Sequence, residues 1–270
     1  MREMPKANLW GISVYENDFE SACKQIEDEA LKMKSSLLIT AYSEFFVAAT
    51  RDAEFRKLLE NSWMVVPDGV SVLAAIDFEA RSKDLSAIMR LWNGLRTAGK
   101  ILDGRNYHPI SGVRLFEELI KTAASKQQSV FLLGGKKGVV DKVIEKIKAK
   151  YPNLNIAGEE GEAIVGTDTN AALRVVEKLE KFQPNYLFVA YGPIKQEKWL
   201  EQMRKTLKFG VGVGVGGTFD EYLGNFPKAP KFLEEHGLKW FWRLLVDPTR
   251  IGRIYNAVIV FPYLVFKRGS

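Results

Sequence analysis

Asp68 ends an apolar run, Val65-Val66-Pro67-Asp68-Gly69, and is the first side chain placed to move a proton. If the run is a strand, its carboxylate stands at the strand's carboxyl end and, partly desolvated, accepts a proton from a substrate hydroxyl. The plainer use is to cap a helix beginning near Val70, and spacing alone favours that use. Val130-Phe131-Leu132-Leu133-Gly134-Gly135-Lys136-Lys137-Gly138 reads as strand, glycine turn and helix start. Backbone N–H groups at such a turn bind phosphate oxygens with help from the helix dipole. The segment lacks Walker spacing, and a tight turn explains the same glycines. Gly212-Val213-Gly214-Val215-Gly216-Gly217 satisfies G-x-G-x-x-G, on which an NAD(P)-dependent oxidoreductase would rest. Here the glycines alternate inside a strand instead of following it. Close approach of a ligand or helix to one strand face is the simpler account.

Absences narrow the chemistry. One cysteine, Cys23, and two histidines, His108 and His236, exclude a disulfide framework and a Cys/His zinc cluster. No G-x-S-x-G elbow occurs, and no D-x-D pair offers ligands for a divalent ion on a nucleotide diphosphate. No metal or cofactor is therefore expected. A departing diphosphate would have to be neutralised by protein cations.

The elements that must position these groups alternate. Buried-strand patterns fall at Leu37–Thr40, Met64–Pro67, Val130–Leu133, Asn155–Ala157, Tyr186–Tyr191 and Phe209–Val215. Helical spacing marks Glu44–Leu59, Val113–Ser125, Val139–Tyr151, Ala171–Phe182 and Gln196–Thr206. The alternation implies an α/β fold, a Rossmann-like parallel sheet flanked by helices, with ligands beyond the strands' carboxyl ends. Asp77–His108 breaks the rhythm and reads as an excursion, a lid or a dimer contact.

The chain has 270 residues, 46% apolar and 27% charged, which excludes a disordered chain. Its start, Met1-Arg2-Glu3-Met4-Pro5, has no apolar run behind it and points to an intracellular protein. From Pro227 onward stand eight basic residues against three acids, so this segment holds +5 of the net +6. Such asymmetry suggests an anionic partner. The segment reads as a basic, aromatic-rich helical appendage, 227–270, on a catalytic domain, 1–226. Its apolar run, Tyr255–Phe266, is too short to span a bilayer but fits a helix lying in the interface. A helix pair packed on the core or on a second subunit is the alternative. Nucleic acid is not expected, since the arginines are interleaved with apolar residues.

One family brings these pieces together. Tyr191-Gly192-Pro193-Ile194-Lys195-Gln196-Glu197-Lys198-Trp199 is close to the G-x-P-K-Q-E-x-W segment of the WecG/TagA/CpsF bacterial glycosyltransferases. Gly214-Val215-Gly216-Gly217-Thr218-Phe219-Asp220, Lys228-Ala229-Pro230 and Gly237–Leu245 follow in order, and Arg51–Phe55, Pro67–Gly69 and Leu132–Gly135 also fit. The chain resembles that family from about Leu37 to Tyr255.

The resemblance implies a metal-independent, inverting transfer of an N-acetylmannosamine-type or related sugar from a UDP donor. The implied acceptor is undecaprenyl-diphosphate-linked, at the inner face of the plasma membrane, in teichoic acid or surface-polysaccharide synthesis. The enzyme would be cytoplasmic and peripheral, and the resemblance points towards a homodimer. By motif position Asp68 is the general base, Thr40 lies beside it, and Gln196 holds the donor sugar or the attacking centre. Gly134, Gly135 and Asp220 would face the UDP, and Arg243, Arg250 and Arg253 would bind diphosphates. Two departures stand out. Tyr42 replaces an Asn of the family's T-x-N-x-E in Thr40-Ala41-Tyr42-Ser43-Glu44. R-x-x-G-x-D falls on Pro109–Arg114 and loses its Arg and Asp, with Arg105 or Arg114 as candidate replacement cations. A non-catalytic lipid- or partner-binding member of the fold is the reading those losses motivate.

Overall fold

The computed structural model describes residues 6–104, 106–161, 170–227, 230, 232–233 and 239–268. An antiparallel hairpin, β1 (Lys6–Leu9) and β2 (Ile12–Tyr15), leads into α1 (Phe19–Ala30). Then come β3 (Ser36–Ala41), α2 (Ser43–Ala49), α3 (Ala53–Glu60), β4 (Met64–Pro67), α4 (Val70–Ser82), α5 (Ala87–Asp103) and α6 (Gly112–Ser125). The second half runs β5 (Val130–Gly134), α7 (Val139–Lys150), β6 (Ile156–Glu159), α8 (Asn170–Phe182), β7 (Tyr186–Ala190), α9 (Lys195–Met203), β8 (Val211–Gly214) and α10 (Thr218–Leu223). Last are α11 (Lys239–Val246), a 3-10 turn (Pro248–Arg250), α12 (Ile251–Tyr255), a π turn (Asn256–Val260) and α13 (Phe261–Arg268).

Six strands form one parallel sheet in the order β4-β3-β8-β7-β5-β6, the Rossmann-like arrangement expected. Alternate side chains are buried on both faces, as a sheet covered on both sides requires. Leu38, Leu132, Phe188 and Val213 pack with α1, α6, α7 and α10. Leu37, Leu133, Leu187 and Val189 meet α8 and α9 on the other side. The chain moves outward from β3 to β4 and, in the opposite direction, from β5 to β6, and then fills the middle with β7 and β8. Such a reversal of winding opens a crevice at the carboxyl ends of the central strands.

The expected helix over 44–59 is two helices. Asp52 accepts a hydrogen bond from the Phe55 N–H at 2.9 Å and so starts α3 afresh after Thr50. The excursion consists of the end of α4 and the 17-residue α5. α13 docks on the body: Phe261 and Val265 are buried with Phe46 and Val47 of α2 and with the β1–β2 hairpin. The π turn falls just before Pro262, whose missing N–H cannot continue a regular α-helical ladder.

Candidate functional site

At the carboxyl edge of β3 and β4, the backbone draws three chain segments together. The Asp68 N–H donates to the Ala41 carbonyl at 2.8 Å, and the Ile110 N–H to the Pro67 carbonyl at 2.9 Å. This second bond returns the chain from α5 and sets the first residue of α6, Gly112, over Asp68. A methyl group at Gly112 would lie 3.3 Å from Asp68 Oδ2 and 4.0 Å from the hydroxyls of both Thr40 and Thr218. One carboxylate and two hydroxyls therefore converge on bare backbone. Asp68 is half-buried, as a general base needs to be, while Thr40 and Thr218 are buried. Asp68 and Thr40, paired by motif position alone, are neighbours in space.

Gln196 adjoins them through β8. The Thr40 hydroxyl donates to the Gly214 carbonyl at 3.4 Å. A methyl group at Gly214 would lie 2.6 Å from Gln196 Nε2 and collide with Glu197 Oε1, so glycine here lets α9 press on the strand. Gly212 does the same for Leu200 and Phe209. Gly212 and Gly214 of the G-x-G-x-x-G run thus serve the close packing of α9 on the strand, as the alternation of glycines inside the strand suggested. Gln196 is buried: its Oε1 accepts from the Gly216 N–H at 3.0 Å and its Nε2 donates to Glu197 Oε1 at 2.8 Å. It ties the end of β8 to α9, beside the Asp68 cluster. Glu197 Oε2 also accepts from the N–H of Ile194 at 2.6 Å. Ile194 sits at φ 70°, a strained conformation for a β-branched residue that this bond helps to hold. Burial pushes the Glu197 carboxyl up to about 7, against the lowering effect of the Gln196 hydrogen bond.

The C-terminal segment supplies cations to the same edge. Arg253 Nε bonds Glu44 Oε2 at 2.7 Å, with its guanidinium 5.9 Å from the centre of the Tyr42 ring. Burial works against the Arg253 charge, but Glu44 more than offsets it and keeps the cation firmly protonated. The Tyr42 phenol is pushed up by burial, then by the negative charges of Glu197 and Asp68. Arg250 is held by Asp247 at 2.8 Å and reaches within 3.9 Å of where a methyl on Gly217 would stand. Arg243 lies on α11, with its side chain outside the described residues.

The second group of expected residues lies further along the edge. Gly134 and Gly135 have φ of 93° and 83°, and a methyl on Gly134 would be 2.8 Å from the Tyr191 ring. The Gly135 N–H is already taken by the Ala190 carbonyl at 3.1 Å. Gly135 neighbours Phe219 of α10, whose first turn carries Asp220; that carboxylate accepts from Asn225 Nδ2 at 2.9 Å. Arg114 is directed elsewhere, its guanidinium stacked 3.9 Å from the centre of the Phe19 ring, so it does not stand in for the lost cation. Arg105 lies outside the described residues. Among the described residues, no three His, Cys, Asp or Glu side chains gather as metal ligands would.

Glu44, Glu197 and Thr218 belong to the site although only their neighbours were singled out. All three sit inside the family-like motifs, so the motif, and not its best-known letters alone, was the available signal.

A family model described as the glycosyl transferase WecG/TagA/CpsF family matches residues 7–87 and 93–270. Among similar curated proteins is the N-acetylglucosaminyldiphosphoundecaprenol N-acetyl-beta-D-mannosaminyltransferase of Bacillus subtilis (strain 168). It is 28% identical over 254 residues, 94% of this chain and 88% of the relative. The protein of the same name in Staphylococcus aureus (strain NCTC 8325 / PS 47) is 29% identical over 230 residues, 85% of this chain and 79% of the relative.

Proposed function

The chain belongs to the WecG/TagA/CpsF glycosyltransferase family, and from that membership we propose that it moves a sugar from a UDP donor to an undecaprenyl-diphosphate-linked acceptor. The relatives' names support the lipid-linked acceptor and an N-acetylmannosamine-type donor. In this reading Asp68 takes the proton from the acceptor hydroxyl as its oxygen bonds to the anomeric carbon. The bond from that carbon to the diphosphate oxygen breaks, UDP leaves, and attack from the opposite face inverts the centre. Thr40 and Thr218 position the reacting hydroxyl, and Gln196 fixes the backbone on which the sugar rests. Arg250 and Arg253, aided by Arg243, meet the charge that develops on the diphosphate, so that no metal is required.

The observation that carries this reading is the meeting of Asp68 and Thr40 with two arginines of the C-terminal segment at one edge of the sheet. No described helix is long and apolar enough to cross a membrane. The exposed row Ile251, Tyr255, Ile259 and Tyr263, four residues apart, supports contact of the 227–270 appendage with the membrane surface instead.

Turnover measured with UDP-N-acetylmannosamine, UDP-N-acetylglucosamine and UDP-glucose, on a GlcNAc-diphosphate-lipid acceptor, tests the proposal. Asp68→Asn is expected to lower kcat by about 10²–10⁴-fold, with UDP still raising the melting temperature. EDTA should leave the rate unchanged. An undiminished rate in Asp68→Asn would remove the base assignment, and loss of activity in EDTA would remove metal independence.

A further inference from the structure

Tyr42 stands where two distant parts of the chain meet. It follows β3 directly, and the Asp68 N–H donates to the carbonyl of its neighbour Ala41 at 2.8 Å, so the Tyr42 backbone is pinned beside the carboxylate of the site. Tyr42 occupies the N-cap of α2, but its side chain caps nothing. The ring lies 4.8 Å from that of Phe45, which is fully buried and set edge-on to Phe55 at 5.4 Å. An aromatic stack rooted in the core restricts how the Tyr42 ring can turn. Its phenol stays neutral, because burial and then the charges of Glu197 and Asp68 push its pKa up.

What the ring meets comes from the other end of the chain. The Arg253 guanidinium lies 5.9 Å from the ring centre, while its Nε holds Glu44 Oε2 at 2.7 Å. After Glu44, Tyr42 is the next group that keeps Arg253 charged. The two partners act differently on the cation. A carboxylate fixes a guanidinium but offsets its charge; a neutral ring fixes it through the quadrupole and leaves the charge for a third group. The Glu44 bond engages Nε, so the terminal nitrogens are left to be aimed by other contacts. Further along, Phe261 packs against Phe46 of the same helix α2, with 6.1 Å between ring centres. The C-terminal segment is thus fastened to α2 at both ends of the stretch from Arg253 to Phe261, and Arg253 cannot slide along the body. Tyr42 is also where the chain departs from T-x-N-x-E, and an asparagine has no ring to offer.

We propose that Tyr42 is a positioning residue for sugar transfer: its ring sets the plane of the Arg253 guanidinium beside the carboxyl end of β3, so that the cation already faces the departing diphosphate when Asp68 takes the proton. The proposal rests on the transfer reading above and concerns how the C-terminal cation is aimed. Tyr42 exchanges no proton and acts only through Arg253.

Two quantities test it in the full-length chain, in Tyr42→Phe, Tyr42→Leu and Arg253→Ala, and in the double variant of the last two. One is turnover of UDP-N-acetylmannosamine and UDP-N-acetylglucosamine on a GlcNAc-diphosphate-lipid acceptor; the other is UDP affinity by titration calorimetry. Tyr42→Leu is expected to lower kcat about tenfold, the scale of a cation held over a ring, with the donor KM nearly unchanged. UDP carries the charge that develops on departure, so its affinity should fall by a similar factor. In the Arg253→Ala background the same substitution should do almost nothing further to either quantity, because residues in contact act as one unit. Tyr42→Phe keeps the ring and should lose less than Tyr42→Leu. Equal losses from Tyr42→Leu with and without Arg253 overturn the proposal. So does a changed preference between the two donors, which would make Tyr42 a sugar contact. Should Tyr42→Leu not fold, Tyr42→Asn removes the ring with the residue that the motif carries there, and its UDP affinity with and without Arg253 decides. If the unaltered chain binds UDP but transfers neither sugar, the transfer reading falls and the UDP affinities alone decide whether Tyr42 acts through Arg253. Failure of the unaltered chain to bind UDP removes both.

Discussion

Glu197 shows what burial adds to a motif. Its carboxyl is fully enclosed and titrates near 7 against an ordinary value of 4.5. Between those values the unfolded chain has released the proton that the folded chain retains, so folding stability must fall as pH rises from about 4.5 to 7. The size is roughly 3 kcal/mol, since each tenfold change in proton affinity is worth about 1.4 kcal/mol. Glu197→Gln cannot ionise and loses this slope. It also places an amide N–H₂ or a lone acceptor where two donors, Ile194 N–H and Gln196 Nε2, now converge, so it begins less stable. Urea midpoints at pH 5 and pH 8 should show the variant's deficit shrinking at the higher pH. Parallel pH profiles would mean that the Glu197 carboxyl is already ionised at pH 5. The letters Gln196-Glu197 were legible as a family segment, and Asp68 as a strand-end acid. That Gln196 is consumed in tying β8 to α9, and that Glu197 lies beneath it, depends on packing across elements far apart in the chain.

The elements with long apolar patterns were the readable ones. Each of the six strands of the parallel sheet fell within a residue or two of an apolar run, because burial on both faces leaves unbroken hydrophobic stretches. The β1–β2 hairpin gave no such signal. Its two turn residues are Trp10 and Gly11, with φ of 57° and 90°, and a tryptophan in a left-handed position defeats the Asn-Gly signature. What stabilises that turn is tertiary: the Trp10 indole N–H donates to Glu79 at 2.6 Å, and its ring meets Phe46 and Phe261. The C-terminal helices were read correctly as helical, but their grip on the body was not visible in composition. Phe261 is 1% exposed and packs between Trp10 and Phe46. Phe261→Ala should therefore cost about 3–5 kcal/mol, the range for a buried aromatic replaced by alanine, read as a lower urea midpoint. It should also weaken UDP binding, since Arg250 and Arg253 ride on the same segment. A variant as stable as the original would show that α13 does not pack on α2 in solution.

At the scale of the whole molecule, charge and apolar surface are separated from the sheet yet coupled to it. The last 44 residues hold +5 of the net charge of +6, and the exposed apolar row Ile251, Tyr255, Ile259 and Tyr263 lies in the same segment. If these surfaces meet a bilayer together, two forces with different salt dependence act at once. Each basic residue near an anionic surface contributes about 1 kcal/mol, screened beyond a Debye length of roughly 10 Å at 0.1 M salt and 3 Å at 1 M. Burial of the apolar row is not screened. Binding to phosphatidylglycerol vesicles should thus fall steeply between 0.1 M and 1 M salt and then level off at a residual affinity. Neutral phosphatidylcholine vesicles should give only that residual, at every salt concentration. Vesicle flotation across this series separates the two forces: a collapse to zero at 1 M salt would leave the exposed apolar row without a membrane role. Equal binding to neutral and anionic vesicles at low salt would do the same for the basic segment. Should both forces persist, the cations of the C-terminal segment are divided between two tasks. Those that pair with Glu44 and Asp247 keep the segment folded over the site, and the exposed Lys267 and Arg268 meet the lipid.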